Sequence, residues 1–212
     1  MASEKFHIPP STFHTQTIFP VILPVPAEVG EFKPRERVKF LSRHARMALN
    51  LSARKSNLQL GDLEQDENGA PLPCNGIYWS ITHKPHYVGG LVALTPIGID
   101  IERIRSCSRG LFAKTASERE WALAAGEKAS INTFFRYWTA KEALVKTSGT
   151  GLKDLLKCQV TRIIDDRHLA IRYSGREWLI EHFYFDQHIA STVQNSMQIE
   201  WILAETGQLP LT

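Results

Sequence analysis

The segment FFRYWTAKEALVK, residues Phe134–Lys146, decides the fold of this chain. Its apolar residues recur at helical intervals, so it predicts a helix from about 132 to 147, closed by the Ser-Gly-Thr-Gly that follows. Glu142 and Lys146 lie one turn apart on this helix, and such a pair taken alone is typical of an exposed surface, where it adds about 0.2–0.5 kcal/mol. The high aromatic content instead favours a buried helix whose polar line faces a cleft.

The segment IGIDIE, Ile97–Glu102, is predicted to be a strand. Alternate residues of a strand share a face, so Asp100 and Glu102 point to the same side as Gly98, while the isoleucines point to the other. Two carboxylates at neighbouring positions of one face repel each other, and a divalent cation relieves that repulsion. Gly98 is expected to leave space there for a bulky ligand. An Asp-x-Glu pair by itself is also typical of a solvated strand face.

A third segment, IYWSITHK from Ile77 to Lys84, is predicted to be a strand followed by a tight turn. The second strand of this hairpin is predicted over 87–94, where Gly89 and Gly90 would let another backbone or a ligand come close. Hydroxyl, imidazole and ammonium groups at the turn could hold a phosphate, although a histidine after a strand is usually only a turn residue. These groups belong to Thr82, His83 and Lys84.

The rest of the chain alternates helical and strand patterns. Residues 34–56 predict an amphipathic helix with a basic face that includes Arg43, and residues 116–125 predict a helix with Ser117 as its N-cap and Gly126 near its end. The run from Ile18 to Val25 contains prolines that restrict it to an edge strand or an extended surface segment. Five segments between 160 and 203 predict strands of an antiparallel sheet.

A weak internal repeat predicts two similar halves. The motif RHARMAL of the first helix is similar to WTAKEAL of the later one, and each helix precedes strands. We therefore expect an α+β fold of two pseudo-twofold-related halves, each a small antiparallel sheet packed with helices. The halves are expected at 1–95 and 96–212, with a cleft between them.

Composition excludes several classes of protein. The 212 residues carry 25 basic and 22 acidic side chains, a net charge of +3, which is far from the excess expected of a nucleic-acid-binding protein but suits a small anionic ligand or an acidic partner. The three widely spaced cysteines support neither a disulfide framework nor a zinc site, and no stretch is apolar enough to span a membrane. We expect a soluble, cytoplasmic protein in a reducing compartment, independent of membranes.

Together, the motifs WSITH, IGIDIE and FFRYWTAKEALVK resemble the three signature motifs of 4′-phosphopantetheinyl transferases of the surfactin-synthetase and siderophore-synthetase type. The joint occurrence of GIDIE and WTAKEALVK is highly specific, and the resemblance runs from about residue 35 to the last strands. It implies a pseudo-twofold monomer that transfers the 4′-phosphopantetheine arm of coenzyme A to a serine of an apo acyl or peptidyl carrier protein. The carrier is expected to be acidic, and adenosine 3′,5′-bisphosphate is released.

The resemblance also implies roles for individual residues. Magnesium, which prefers oxygen ligands, would be held by Asp100, Glu102 and Glu142, and Lys146 would neutralise charge on the phosphoryl group. Glu142 is also our choice of base for the serine hydroxyl, directly or through a bound water, and whether it acts as ligand, base or both stays open. Coenzyme A phosphates would be contacted by Thr82, His83 and Lys84, with Arg43 and other basic residues of the first helix as weaker candidates.

Two positions depart from the family pattern. Gly69-Ala70-Pro71 stands where the family often has Gly-Lys-Pro, so a candidate phosphate-binding lysine is missing, and Lys84 is a candidate replacement. Thr82 stands where serine is usual and retains the hydroxyl. The segment from Arg105 to Ile131 lies between the two catalytic motifs and is expected to help dock the carrier.

Two other functions remain as alternatives. A non-catalytic module could bind carrier proteins or coenzyme A, but it would have no need for three acids together with Lys146. An unrelated magnesium-dependent nucleotide phosphotransferase is disfavoured because the sequence has no Gly-rich Walker-type loop.

Overall fold

The computed structural model describes residues 16–124 and 130–205, and within them eleven strands form three sheets. The strands are β1 (Thr17–Ile18), β2 (Val21–Pro24), β3 (Tyr78–His83), β4 (Tyr87–Ala93), β5 (Ile99–Arg103), β6 (Gln159–Ile163), β7 (His168–Tyr173), β8 (Arg176–Phe185), β9 (His188–Val193), β10 (Gln198–Ile199) and β11 (Ile202–Leu203). The helices are α1 (Pro34–Lys55), α2 (Arg109–Thr115), α3 (Glu118–Ala122) and α4 (Ile131–Ser148), with short 3-10 helices at Ala27–Glu31 and Leu152–Lys157. No helix in the described ranges has both the length and the apolar character needed to cross a lipid bilayer.

Helix α1 packs on a four-stranded sheet with the order β11-β2-β4-β3. The helix starts at Pro34, whose fixed φ suits the first helical position, and its apolar face is buried against β4. Gly90 permits this close packing, because a Cβ atom there would lie 2.2 Å from the backbone nitrogen of Leu49. Of the two alternatives for the Gly-Gly pair, the approach of another backbone is therefore the one observed at Gly90.

The prediction of an edge strand for residues 18–25 was wrong. Strand β2 lies between β4 and β11, and Ile22 is fully buried. The prolines are tolerated because they bracket the strand: the carbonyl oxygen of Pro20 accepts from the backbone of Ile202, and Pro24 ends the strand.

Helix α4 packs on β5 and β9 of a five-stranded antiparallel sheet with the order β5-β9-β8-β7-β6. Its start is fixed by the Ser130 hydroxyl, which accepts from the backbone of Thr133. Its end is set by Gly149 at a φ of 68°. Eleven of its residues are buried, as the aromatic content predicted.

The two larger sheets share one order of connection. In the first, β2 precedes α1 and pairs with β4, the second strand of the β3-β4 hairpin. In the second, β5 precedes α4 and pairs with β9, the second strand of the β8-β9 hairpin. All these pairings are antiparallel, so the antiparallel pairing of these strands and the mixed α and β composition that we expected are confirmed.

The last strands differ from the prediction of an antiparallel sheet over 198–203. That region forms two short strands, and these run parallel to the first strands of the chain: β10 pairs with β1, and β11 pairs with β2. Tertiary pairing with a distant segment decides their direction, and strand periodicity carries no information on it.

The predicted helix at 116–125 forms in part. It runs over Glu118–Ala122, and Ser117 is its N-cap, as predicted, with Glu120 completing the capping box. Gly126, the predicted end, lies outside the described residues.

Candidate active site

Three carboxylates meet where β5 lies beside α4. Asp100 and Glu102 come from one face of the strand and Glu142 comes from the helix, and ligand oxygens of all three lie within 4.8 Å of one another. Asp100 is fully buried, and Glu142 is only 8% exposed. The strand period of two and the helical position of Glu142 thus bring together the acids that the sequence singled out.

Gly98 serves a different purpose from the one expected. A Cβ atom at this position would lie 2.0 Å from the carbonyl oxygen of Ala143 and 2.8 Å from the backbone nitrogen of Thr147. The space beside Gly98 is therefore filled by the backbone of α4, and the expectation of room for a bulky ligand was wrong. This close approach holds the polar line of α4 against β5 and so positions Glu142 beside Asp100.

Lys146 joins α4 to the buried acid of β5. Its Nζ donates to Asp100 Oδ1 at 2.7 Å and to the carbonyl oxygen of Ile99 at 3.0 Å. The Thr82 hydroxyl donates to the same Asp100 oxygen at 3.0 Å. The other oxygen, Oδ2, is buried and has no hydrogen-bond partner among the described residues. A buried carboxylate oxygen without a partner is costly, and a bound cation would satisfy it.

Glu102 is held by two donors. Lys84 Nζ lies 2.6 Å from Glu102 Oε1, and the indole Nε1 of Trp138 donates to the same oxygen at 3.2 Å. Lys84 is also 3.8 Å from Asp100 Oδ1. Burial alone would lower the pKa of Lys84, but the two carboxylates outweigh burial and raise it. Lys84 is therefore a charged member of the acidic cluster.

The carboxyl group of Glu142 is buried beside the negative charge of Asp100. Burial, followed by the charge of Asp100, raises its pKa to about 7, although Lys84 and Lys146 act in the opposite direction. A carboxyl group with such a pKa can take up a proton near neutral pH. The same repulsion would be relieved by a cation, and the set of carboxylate oxygens suits magnesium.

A pocket of about 700 Å³ opens next to this cluster. It lies between α1, the loop at 65–71, the end of β3 and the C-terminal end of α4 with the loop that follows. Its polar lining includes His83, Glu142, Lys146, Arg46 and Lys153. The volume is within the range of about 300–1,000 Å³ that is typical of small-molecule sites.

The residues predicted to contact coenzyme A fall in three places. His83 lines the pocket, where burial, then Lys146 and Lys84, lower its pKa and favour the neutral ring. Thr82 and Lys84 bond to the acids and are not in the pocket lining. Arg43 lies outside this pocket, next to Phe40 in a separate surface depression.

Two further basic residues line the pocket. Arg46 is one of the other basic residues of the first helix that were weaker candidates for contacts to coenzyme A phosphates. Lys153 was not predicted, because it gave no motif signal. It reaches the pocket because the chain turns at Gly149 and Gly151, both with positive φ, after the end of α4.

Lys141, next to Glu142 in the chain, was also missed. It is fully buried, and its Nζ lies 2.6 Å from Glu120 Oε1 and 2.7 Å from the carbonyl oxygen of Thr115. Burial lowers the pKa of Lys141, and the bond to Glu120 opposes that effect. The other oxygen of Glu120 accepts from Ser117, so Lys141 ties α2 and α3 to α4.

Comparison with known proteins supports the motif assignment. The family model described as the 4′-phosphopantetheinyl transferase superfamily matches residues 96–197. A 4′-phosphopantetheinyl transferase called gsp, from Aneurinibacillus migulanus, is 30% identical over 90 residues, which are 42% of this chain and 38% of that protein. The transferase ffp of Bacillus subtilis is 30% identical over 96 residues, which are 44% of this chain and 43% of that protein.

A longer match is to the 4′-phosphopantetheinyl transferase psf-1 of Bacillus pumilus. It is 27% identical over 118 residues, which are 54% of this chain and 51% of that protein. The matched region thus spans about half the length of these curated relatives or less. Residues 96–197, which carry all three acids and Lys146, match the 4′-phosphopantetheinyl transferase superfamily, and the resemblance inferred from the motifs is confirmed there.

Proposed function

We propose that this protein transfers the 4′-phosphopantetheine arm of coenzyme A to a serine of an apo carrier protein, giving the holo carrier and adenosine 3′,5′-bisphosphate. The observation that carries this proposal is that the acid trio and Lys146 lie next to a pocket of about 700 Å³, which Glu142 and Lys146 line. Such a site offers cation binding and charge neutralisation, which are most of what phosphoryl transfer requires of a protein.

Magnesium fits the donor set. Asp100, Glu102 and Glu142 would hold it, and the buried, unpartnered oxygen of Asp100 supports this assignment. When bound, the ion neutralises charge on the pyrophosphate of coenzyme A and on the leaving bisphosphate.

The protein residues have separate tasks in the transfer. Glu142 accepts the proton of the carrier serine as the serine oxygen bonds to the phosphorus that carries the pantetheine arm. The bond from that phosphorus to the bridging oxygen breaks, and the bisphosphate leaves. Lys146 has three N–H donors, of which two already bond to Asp100 and Ile99, so one is left for a phosphate oxygen.

We propose that the two sheets belong to pseudo-twofold-related halves, at 1–95 and 96–212, with the pocket in the cleft between them. Their shared order of connection supports this, although β11 comes from the second half and joins the sheet of the first. The protein would act as a monomer. The cytoplasm is the proposed compartment, since its reducing conditions suit the three free cysteines.

We also propose that an acidic carrier docks on the segment from Arg105 to Ile131, of which 125–129 lie outside the described residues. The buried pair of Lys141 and Glu120 supports this, because it ties α2 and α3 to the helix of the acid trio. Alanine substitutions at exposed positions of the segment should weaken carrier binding and leave coenzyme A binding unchanged. Unchanged carrier binding would count against it.

The test is to incubate the protein with coenzyme A, magnesium and several apo carriers, and to weigh each carrier by mass spectrometry. A carrier should gain the mass of the phosphopantetheine arm, and Asp100→Ala or Glu142→Ala should abolish the gain. Glu177→Ala is the control, because Glu177 belongs to an exposed ion pair remote from the trio in the sheet. No gain with any carrier, or full activity of either trio variant, would reject the proposal, and coenzyme A binding without transfer would favour a non-catalytic module.

A further inference from the structure

We propose that Lys153, with Arg46, binds the 3′-phosphate of coenzyme A and makes the protein selective for donors that carry this group. This inference rests on the proposed function, since it takes coenzyme A as the ligand of the pocket. Lys153 lies in the 3-10 helix Leu152–Lys157, and Arg46 lies in α1. Both line the pocket.

The first argument is the charge of the pocket lining. Among the described lining residues, the fixed cations are Arg46, Lys146 and Lys153, and the only carboxylate is that of Glu142. Lys146 is paired with Asp100. Neither Arg46 nor Lys153 forms an ion pair with a described residue, and the bonds made by Arg46 go to Ser42, a neutral partner. Two cations that form no ion pair with a described residue thus line this pocket, in which Glu142 is the only carboxylate of the described lining.

The second argument is the chemistry of coenzyme A. Its pyrophosphate must lie at the acid trio and Lys146, because the bond to be broken is there. The remaining anionic group is the 3′-phosphate of the ribose, which carries close to two negative charges and needs cationic donors of its own. Lys153 and Arg46 are the pocket cations left for it.

The third argument is the position of Lys153 relative to the missing lysine. A Cβ atom built at Gly149 would lie 3.6 Å from the Cβ of Ala70, so the turn that leads to Lys153 lies beside the loop at 69–71. Ala70 is the position at which the family often has lysine. Lys84, the replacement considered from sequence, is engaged by Glu102 and Asp100. Lys153 therefore supplies a positive charge from the neighbouring loop.

The test compares coenzyme A with 3′-dephospho-coenzyme A as donors. In Lys153→Gln, KM for coenzyme A should rise roughly tenfold, as expected for the loss of one charge-assisted hydrogen bond, while KM for the dephospho donor and kcat stay the same. Lys153→Arg should retain the preference. Lys157→Gln is the matched control, because it removes the same charge from the other end of the same 3-10 helix. Lys157 pairs with Asp154, and neither residue belongs to the pocket lining.

A rescue variant makes the test sharper. Ala70→Lys in the Lys153→Gln background should lower KM for coenzyme A again, since it returns a cation to the adjacent loop. An equal rise of KM for both donors in Lys153→Gln, or no rise for either, would overturn the inference.

Calorimetric titration of both donors separates this inference from the proposed function. Selective loss of coenzyme A binding in Lys153→Gln would uphold the phosphate site even if no carrier is ever modified. Equal binding of both donors by the unaltered protein, or no binding of coenzyme A, would overturn it.

Discussion

Glu142 should make the protein less stable at pH 8 than at pH 5 when divalent cations are removed. Burial and the charge of Asp100 raise its pKa from 4.5 to about 7, so the folded protein holds a proton that the unfolded chain releases at lower pH. A group whose pKa is raised by folding stabilises the folded state fully at pH values below its pKa in the unfolded chain. This stabilisation is lost as the pH rises through its pKa in the folded protein. The difference of about 2.5 pKa units corresponds to about 3 kcal/mol, most of it lost between pH 5 and pH 8.

The measurement is urea unfolding, followed by tryptophan fluorescence, with a chelator at both pH values. Because other groups also titrate, the informative quantity is the free energy of unfolding of the unaltered protein minus that of Glu142→Gln, which has no carboxyl group at this position. This difference should fall by about 2–3 kcal/mol from pH 5 to pH 8. The decrease should be smaller with magnesium, which favours the ionised carboxylate.

Glu177→Gln provides the control, since it removes an exposed carboxyl group from the same chain. Its difference from the unaltered protein should hardly change between the two pH values. The reasoning would be refuted if the Glu142→Gln difference were equally constant, because Glu142 would then have the same proton affinity in the folded and the unfolded state.

Three further predictions concern the parts that surround the trio. Gly98→Ala should lower the free energy of unfolding in urea by about 2 kcal/mol or more, because the new methyl group would collide with the backbone of α4. The control Gly110→Ala should not destabilise the protein, since the space around Gly110 is open. Equal effects of the two substitutions would contradict the packing argument. Lys141→Met should lower the free energy of unfolding by about 3–5 kcal/mol, because it leaves the buried carboxylate of Glu120 without its ion-pair partner. Arg162→Met removes one partner of an exposed ion pair and should change the free energy of unfolding by less than about 1 kcal/mol. A small loss for both variants would be evidence against the buried pair. Trp138→Phe removes the hydrogen bond from the indole to Glu102 and should weaken magnesium binding, measured by calorimetry, roughly tenfold. An unchanged affinity would mean that this hydrogen bond does not position a metal ligand.

Local sequence patterns were sufficient to predict most of the elements and the acid trio. Asp100 and Glu102 follow the strand period of two, and Glu142 and Lys146 follow the helical period, so each pair could be placed on a face from the sequence alone. That these two pairs of residues lie close together in the fold could be predicted only from the family motifs, because periodicity does not say which strand lies beside which helix. The roles of these residues in the transfer stay predictions.

The errors have a common physical cause, which is contact between distant parts of the chain. Gly98 could be recognised as a point of close approach, but only the packed structure shows that a helix, rather than a ligand, approaches it. Lys141 was not singled out from the sequence, because only the packed structure brings Glu120 and Thr115 to its ammonium group. Lys153 reaches the pocket through the turn after α4, whose direction no residue pattern records.

The parallel pairing of the last strands with the first has a consequence for the order of folding. Thr17 and Gln198 are hydrogen-bonded across 181 positions, and the next strands, β2 and β11, pair beside them. During synthesis, one side of β2 must therefore remain open until almost the whole described chain has been made, although β4 can already occupy the other side. Such long-range pairing is expected to slow folding, and the open edge is a site at which nascent chains could associate with one another.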